Sequence, residues 1–177
     1  LTVYQLIILW ERMLSAMRSK HSSEISVLIK VLWLIRRYFI DRTGGGSVII
    51  KIGNLFESNA TTLVNTVNCV GVMGKGIALE FKKRFPNMYD EYVAMCEAGI
   101  VRPGKPYLYQ DFYGISILNF PTKDHWRSPS KLSYIISGLD WFREHYQEHH
   151  ITSIAFPPLG CGNGGLPWDV VGPIMYN

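Results

Sequence analysis

Two glycine-rich segments, Asn65–Ala78 and Pro157–Gly165, each follow a strand-like apolar run and lead into a helix-like one. This placement constrains the fold more than any other feature of the chain. Glycines let backbone N–H groups approach an anion closely, and a helix beginning just beyond aims its positive end at the same point. A tight turn without a ligand explains either segment alone. Two of them in one domain, each at a strand-to-helix junction, point to a ligand with two phosphates.

The pattern around them is βαβ. Ser47–Ile52 alternates Val48, Ile50 and Ile52 and predicts a strand; Thr62–Val67 predicts a second. Gly76–Phe85 sets Ile77, Phe81 and Phe85 on one helical face and is stopped by Pro86. Met88–Glu97 continues as another helix. Tyr107–Gln110 and Ile115–Phe120 read as a strand pair around the Asp111–Gly114 turn. Ser128-Pro129 reads as an N-cap followed by proline at the first helical position, and the helix it opens turns Leu132, Ile135, Ile136, Leu139 and Phe142 inward. Ile151–Phe156 is apolar enough for a strand buried on both faces, and Pro167-Trp168-Asp169 begins a last helix.

The first 46 residues are of another kind. Val3–Met17 and Ile25–Ile40 are rich in Leu, Ile and Trp, interrupted by Arg12, Arg18, Lys30, Arg36 and Arg37, and read as two amphipathic helices. The longest apolar run there, Val31–Ile35, is far short of the roughly 18–20 residues of a membrane span. A basic n-region and a cleavage site, the marks of a signal peptide, are both missing. A membrane-surface helix and a stretch foreign to the domain are the other readings, and Thr43–Ser47 reads as a flexible joint. The domain division expected is therefore 1–46 and 47–177. All of the formal net charge of +4 resides in the first segment, because residues 47–177 hold equal numbers of acidic and basic side chains. The second segment thus has no bulk electrostatic signature of a nucleic-acid binder, and any DNA contact there must come from local groups. Three widely spaced cysteines, Cys69, Cys96 and Cys161, argue against a disulfide framework or a zinc site. They fit a reducing, cytoplasmic compartment, and no metal or cofactor is expected.

Neither glycine segment is a nucleotide motif of the common kinds. If Gly74-Lys75 belonged to a phosphate-binding P-loop, Cys69 would have to be glycine and Gly76 serine or threonine. Gly160, Gly162 and Gly165 satisfy the spacing of a dinucleotide fingerprint, yet that motif must open a βαβ unit with an acidic residue about twenty positions on, and the sequence ends sooner.

Taken in order, Gly53-Asn54-Leu55, Asn65–Asn68, Gly71–Ala78, Asn119–Arg127 and Leu159–Gly165 resemble the motifs of macrodomains, α/β modules that bind ADP-ribose. The stretch Asn119-Phe120-Pro121-Thr122-Lys123, with His125-Trp126-Arg127 after it, is similar to the branch holding the DarG-type DNA ADP-ribosyl glycohydrolases and the terminal ADP-ribose protein glycohydrolase. The likeness covers roughly residues 47–177. It implies a three-layer α/β/α sandwich with a mixed central sheet, preceded here by the helical segment. It also implies truncation, since the family's domain runs on into a final strand that residue 177 precedes. A sheet with that gap would be of reduced stability.

The resemblance assigns roles by position. Gly53, Asn54 and Leu55 would face the adenine, with Asn54 standing where the family often has Asp. Asn65 and Asn68, with Gly71, Val72, Met73, Gly74, Lys75, Gly76 and Ile77, would frame the distal ribose. Pro158, Leu159, Gly160, Cys161, Gly162, Asn163, Gly164 and Gly165 would hold the pyrophosphate through main-chain amides. Lys123 matches the lysine that the glycohydrolase branch uses in catalysis; without that context it would read as a solvated surface lysine. His125, Trp126 and Arg127 are candidate contacts to single-stranded DNA or a flipped base, or else an anchored loop.

The implied reaction cleaves the N-glycosidic bond between ADP-ribose and a DNA base, reversing modification by a toxin. The transition state gains positive charge at the sugar and negative charge on the departing base. Lys123 would serve either as a cation that protonates the base or as a neutral nucleophile at the anomeric carbon, and a neighbouring pyrophosphate favours the charged form. Implied partners are ADP-ribose, ADP-ribosylated single-stranded DNA and a cognate DNA ADP-ribosyltransferase toxin, with no stable membrane insertion. The protein-directed branch pairs its lysine with an Asp in the second glycine loop, where Gly164 stands here. A non-catalytic ADP-ribose reader and a protein-directed hydrolase are the alternatives.

Overall fold

A computed structural model of the chain describes residues 48–111, 114 and 116–176. The two N-terminal helices expected from the sequence lie outside these residues. Asn54–Met175 belongs to one compact unit, whereas Val48–Gly53 falls in a second.

The first unit is built on a four-stranded sheet in the order β2-β3-β1-β4, where β1 is Thr62–Val67, β2 Tyr107–Gln110, β3 Ser116–Pro121 and β4 Ile154–Ala155. Strand β1 lies at the centre, parallel to β3 on one side and β4 on the other, and β2 runs antiparallel to β3. The mixed sheet follows from the connections. Only five residues, 111–115, join β2 to β3, while the helices that cross between the other strands force them parallel.

Alternation along the strands divides the core. Val64 of β1 and Leu118 and Phe120 of β3 share one face with Ile135 of helix α3 (Leu132–His145) and Val171 of helix α4 (Trp168–Tyr176). Helix α3 approaches β3 so closely that a Cβ on Gly138 would lie 2.2 Å from the Phe120 ring, so only glycine allows this packing. On the opposite face, α1 (Gly76–Arg84) contacts β1, and Phe81 of α1 and Met88 and Tyr92 of α2 (Pro86–Glu97) are fully buried. Pro86 sits in the first turn of α2, and Phe85, which closes α1 with an N–H bond to the Phe81 carbonyl, separates the two helices.

Four expectations need correction. Val48–Ile52 forms no strand and is exposed, with Ile49 70% accessible; it pairs with no strand among the described residues, and alternation without a pairing neighbour makes no ladder. The Ile151–Phe156 strand shrinks to Ile154–Ala155, because β4 is an edge strand with one neighbour and runs directly into Pro157-Pro158. Helix α3 begins at Leu132 rather than after Ser128, since the Ser130 N–H is drawn to the Gly164 carbonyl at 2.9 Å. Ile136 is exposed on that helix rather than buried. No helix among the described residues is long and apolar enough to cross a membrane.

Candidate active site

Because β1, β3 and β4 are parallel, their C-terminal ends lie along one edge of the sheet, where open α/β sheets bind ligands. The first glycine loop leaves β1 there, the Thr122–Ser130 segment leaves β3, and the second glycine loop leaves β4. The middle segment joins the other two. On one side the Thr122 N–H donates to the Val67 carbonyl at 3.0 Å, the Cys69 N–H to Asp124 O at 3.0 Å, and the Cys69 thiol to Lys123 O at 3.2 Å. On the other, Lys123 Nζ donates to Asn163 O at 2.6 Å and Ser130 N–H to Gly164 O at 2.9 Å. The two glycine loops therefore flank Lys123.

Asn68 folds the first loop. Its Oδ1 accepts from the Val70 and Val72 N–H groups at 3.0 and 3.4 Å, and its Nδ2 donates to Val72 O at 2.5 Å. Tyr92, from α2, donates its hydroxyl to Asn68 O at 2.9 Å. Asn65 is wholly buried; its Nδ2 donates to Oδ1 of Asn119, its register partner on β3, at 2.9 Å and lies 3.8 Å from Met73 Sδ. In this arrangement both asparagines hold the first loop in place through their side-chain amides. Met73, Ile77 and Leu159 are also core side chains, so that only their main chains can face a ligand. Gly71, Val72, Gly74, Lys75 and Gly76 remain on the accessible side. Lys75 occupies the N-cap of α1 without a side-chain cap, and the first N–H groups of that helix make no hydrogen bond among the described residues.

The second loop turns at Gly160, whose φ of +70° suits glycine, and closes with N–H bonds from Cys161 to Pro158 O, Gly165 to Gly162 O and Leu166 to Gly160 O. The N–H groups of Gly162, Asn163 and Gly164 make no hydrogen bond among the described residues. Gly164 has no space for a side chain, since a Cβ there would sit 2.1 Å from Gly160 O and 2.3 Å from Ser130 Oγ. An Asp in its place would displace the turn.

Lys123 is half-buried, and loss of solvent holds its amine below the ordinary lysine value. Asp124 is held below the usual carboxylate range, chiefly by the His125 N–H that bonds Oδ1 at 2.7 Å, and stays ionised. Burial pushes the Cys69 thiol up to about 12 and also raises Cys161, which keeps both protonated and unsuited to act as thiolate nucleophiles. Three residues past Lys123, Trp126 is 46% exposed, with the His125 ring centroid 5.5 Å away at an interplanar angle of 28° and Arg127 Cζ 4.5 Å from the indole centroid.

Asn54 is exposed and caps the Leu55–Glu57 turn, accepting from the Phe56 N–H at 3.1 Å, while Gly53 falls in the other unit. Sequence reasoning missed Asn119, Tyr92 and Ser130. The register pairing of Asn65 with Asn119 could have been found by aligning the two strands; the other two act through contacts that no local pattern announces.

Parallel strands ending under two amide-lined turns, with a lysine amine between them, define an α/β module built to hold an anionic ligand at the sheet edge. The macro domain family model matches residues 64–175, and the chain belongs to that family. It is 52% identical over 125 residues to the DNA ADP-ribosyl glycohydrolase of Thermus aquaticus, covering 67% of this chain and 34% of that protein. The macrodomain of Mycobacterium tuberculosis DarG superposes with a TM-score of 0.70 at 49% identity, over 73% of this chain and 87% of that one. Thermosipho africanus DarTG, solved in complex with ADP-ribose, superposes at 0.67 with 42% identity, over 70% of this chain and 36% of that one. The chain spans about a third of the length of the curated DNA ADP-ribosyl glycohydrolases it matches.

Proposed function

We propose that this chain binds ADP-ribose across its two glycine loops and hydrolyses the N-glycosidic bond joining ADP-ribose to a DNA base, with Lys123 as the catalytic residue. The observation that carries this reading is the 2.6 Å bond from Lys123 Nζ to Asn163 O, which seats the amine against the loop whose free N–H groups suit a diphosphate. With the pyrophosphate on Gly162–Gly164 and on the N-terminus of α1, the distal sugar lies beside the amine.

The step is an addition of water. The bond from the anomeric carbon to the base nitrogen breaks, its electron pair leaves with the base, and water forms the new bond to carbon. Lys123 gives its proton to the departing base and regains one from the attacking water. The crowding at Gly164 supports a DNA acceptor over a protein ester, because the carboxylate that protein-directed relatives pair with the lysine has no room here. The exposed Trp126, layered with His125 and Arg127, supports a role in holding the strand, offering π surface for a base and a guanidinium for a phosphate. The similarity to proteins named as DNA ADP-ribosyl glycohydrolases, one of them fused to a DNA ADP-ribosyl transferase, supports both the reaction and a transferase toxin as partner. The test is release of free ADP-ribose from an ADP-ribosylated single-stranded oligonucleotide.

A further inference from the structure

Ser130 is 5% exposed, and its hydroxyl has no hydrogen-bond partner among the described residues. Buried hydroxyls are nearly always satisfied, and leaving one orphaned has a real cost. The orphan lies directly behind the second glycine loop. A Cβ built on Gly164 would fall 2.3 Å from Ser130 Oγ and 2.1 Å from Gly160 O, so the hydroxyl and that carbonyl flank the same point. A Cβ on Gly160 would lie 3.0 Å from Ser130 Cβ, which places the serine against both glycines that form the turn. The main chain of Ser130 already holds the loop through its N–H bond to Gly164 O. Gly160 O accepts one bond, from Leu166 N–H at 3.0 Å, and retains a second lone pair.

We infer that Ser130 is a positioning residue for the diphosphate loop: its hydroxyl donates to the Gly160 carbonyl once an anion draws the Gly162, Asn163 and Gly164 N–H groups together. In the free protein the hydroxyl has no partner among the described residues, and the bound form satisfies it. Binding is then favoured by a bond that the free state lacks, which is a differential interaction of the kind that shifts a conformational equilibrium. The inference rests on the reading of this loop as the ADP-ribose pyrophosphate site and adds to it a residue that never touches the ligand.

The experiment compares the unmodified full chain with Ser130→Ala, measuring thermal stability without ligand and ADP-ribose affinity by calorimetry. Removing an orphaned hydroxyl should leave the melting temperature unchanged or raised, whereas affinity should fall about five- to tenfold, the worth of one net hydrogen bond. Ser130→Cys, close in size and a weak donor, should keep the same stability and give an intermediate affinity, which guards against a packing effect of the alanine. Where turnover is followed, KM for the ADP-ribosylated oligonucleotide should rise with kcat nearly constant. Unchanged affinity in Ser130→Ala overturns the inference, as does a loss of ligand-free stability equal to the loss in binding, because the hydroxyl would then already be in use. A folded, unmodified protein that binds no ADP-ribose fails the underlying reading itself, a result separable from any effect of the serine.

Discussion

Lys123 reaches across from the end of β3 to the second glycine loop, its Nζ donating to Asn163 O at 2.6 Å, although the two residues are 40 positions apart. The same lysine accepts the Cys69 thiol at its own carbonyl, which ties it to the first loop as well. One residue thereby registers both turns against each other, and displacement of either would move the amine. This is the arrangement a hydrolase needs if the anomeric carbon is to meet a proton donor while the diphosphate is held by main chain.

Gly164 is the most sterically restricted position in the second loop. Gly164→Ala must push a methyl into Gly160 O and Ser130 Oγ, at 2.1 and 2.3 Å. Overpacking of this kind costs about 1–3 kcal/mol. Chemical denaturation should register that loss, and ADP-ribose affinity should drop by more than tenfold because the turn that presents the amides is displaced. Full affinity in the variant would show that the loop is not the diphosphate holder.

The pH dependence of turnover distinguishes the two roles open to Lys123. Partial burial lowers its pKa, so the charged amine is lost at a lower pH than for an ordinary lysine. As the proton donor, Lys123 must be charged, and kcat should be level near neutrality and fall as pH rises through the lowered value. A rate that instead climbs with pH to a plateau there would assign the neutral amine as nucleophile. The sign for stability is opposite. A lysine whose folded pKa is depressed stabilises the fold above the unfolded value, and that contribution is lost as pH falls through the folded one, though the solvent exposure of Lys123 keeps it small.

Trp126 should matter for the strand and not for the nucleotide. Stacking of a base on an exposed aromatic is worth about 1–3 kcal/mol. Trp126→Ala should therefore weaken binding of an ADP-ribosylated single-stranded oligonucleotide by roughly ten- to hundredfold, while free ADP-ribose binds as before. Titration of both ligands by fluorescence anisotropy checks this, and equal losses for the two would place the indole in a structural role.

The sequence carried the centre of this fold and lost its margins. Thr62–Val67 was legible because it forms a central strand whose alternation is enforced by neighbours on both sides. Ser47–Ile52 has the same alternation and no pairing neighbour among the described residues, so pattern alone misled. The start of α3 was misplaced because a carbonyl 34 positions away, that of Gly164, takes the Ser130 N–H that a helix start at Ser128 would have used otherwise. Such long-range competition leaves no local trace. At the site, the glycine loops and Lys123 were legible through the resemblance, and the structure brings them together. The side-chain partners of Asn65 and Asn68 were not legible, because a polar residue beside a glycine loop does not announce whether it bonds across the sheet, as Asn65 does to Asn119, or to the loop's own backbone, as Asn68 does.

The most direct test compares the unmodified chain with Lys123→Ala on an ADP-ribosylated single-stranded oligonucleotide, while ADP-ribose affinity is followed in parallel. The account predicts that the unmodified protein releases ADP-ribose and that Lys123→Ala loses at least a hundredfold in kcat, the usual scale for removing a general acid, with affinity within about threefold, well under one net hydrogen bond. Turnover undiminished in Lys123→Ala would contradict it.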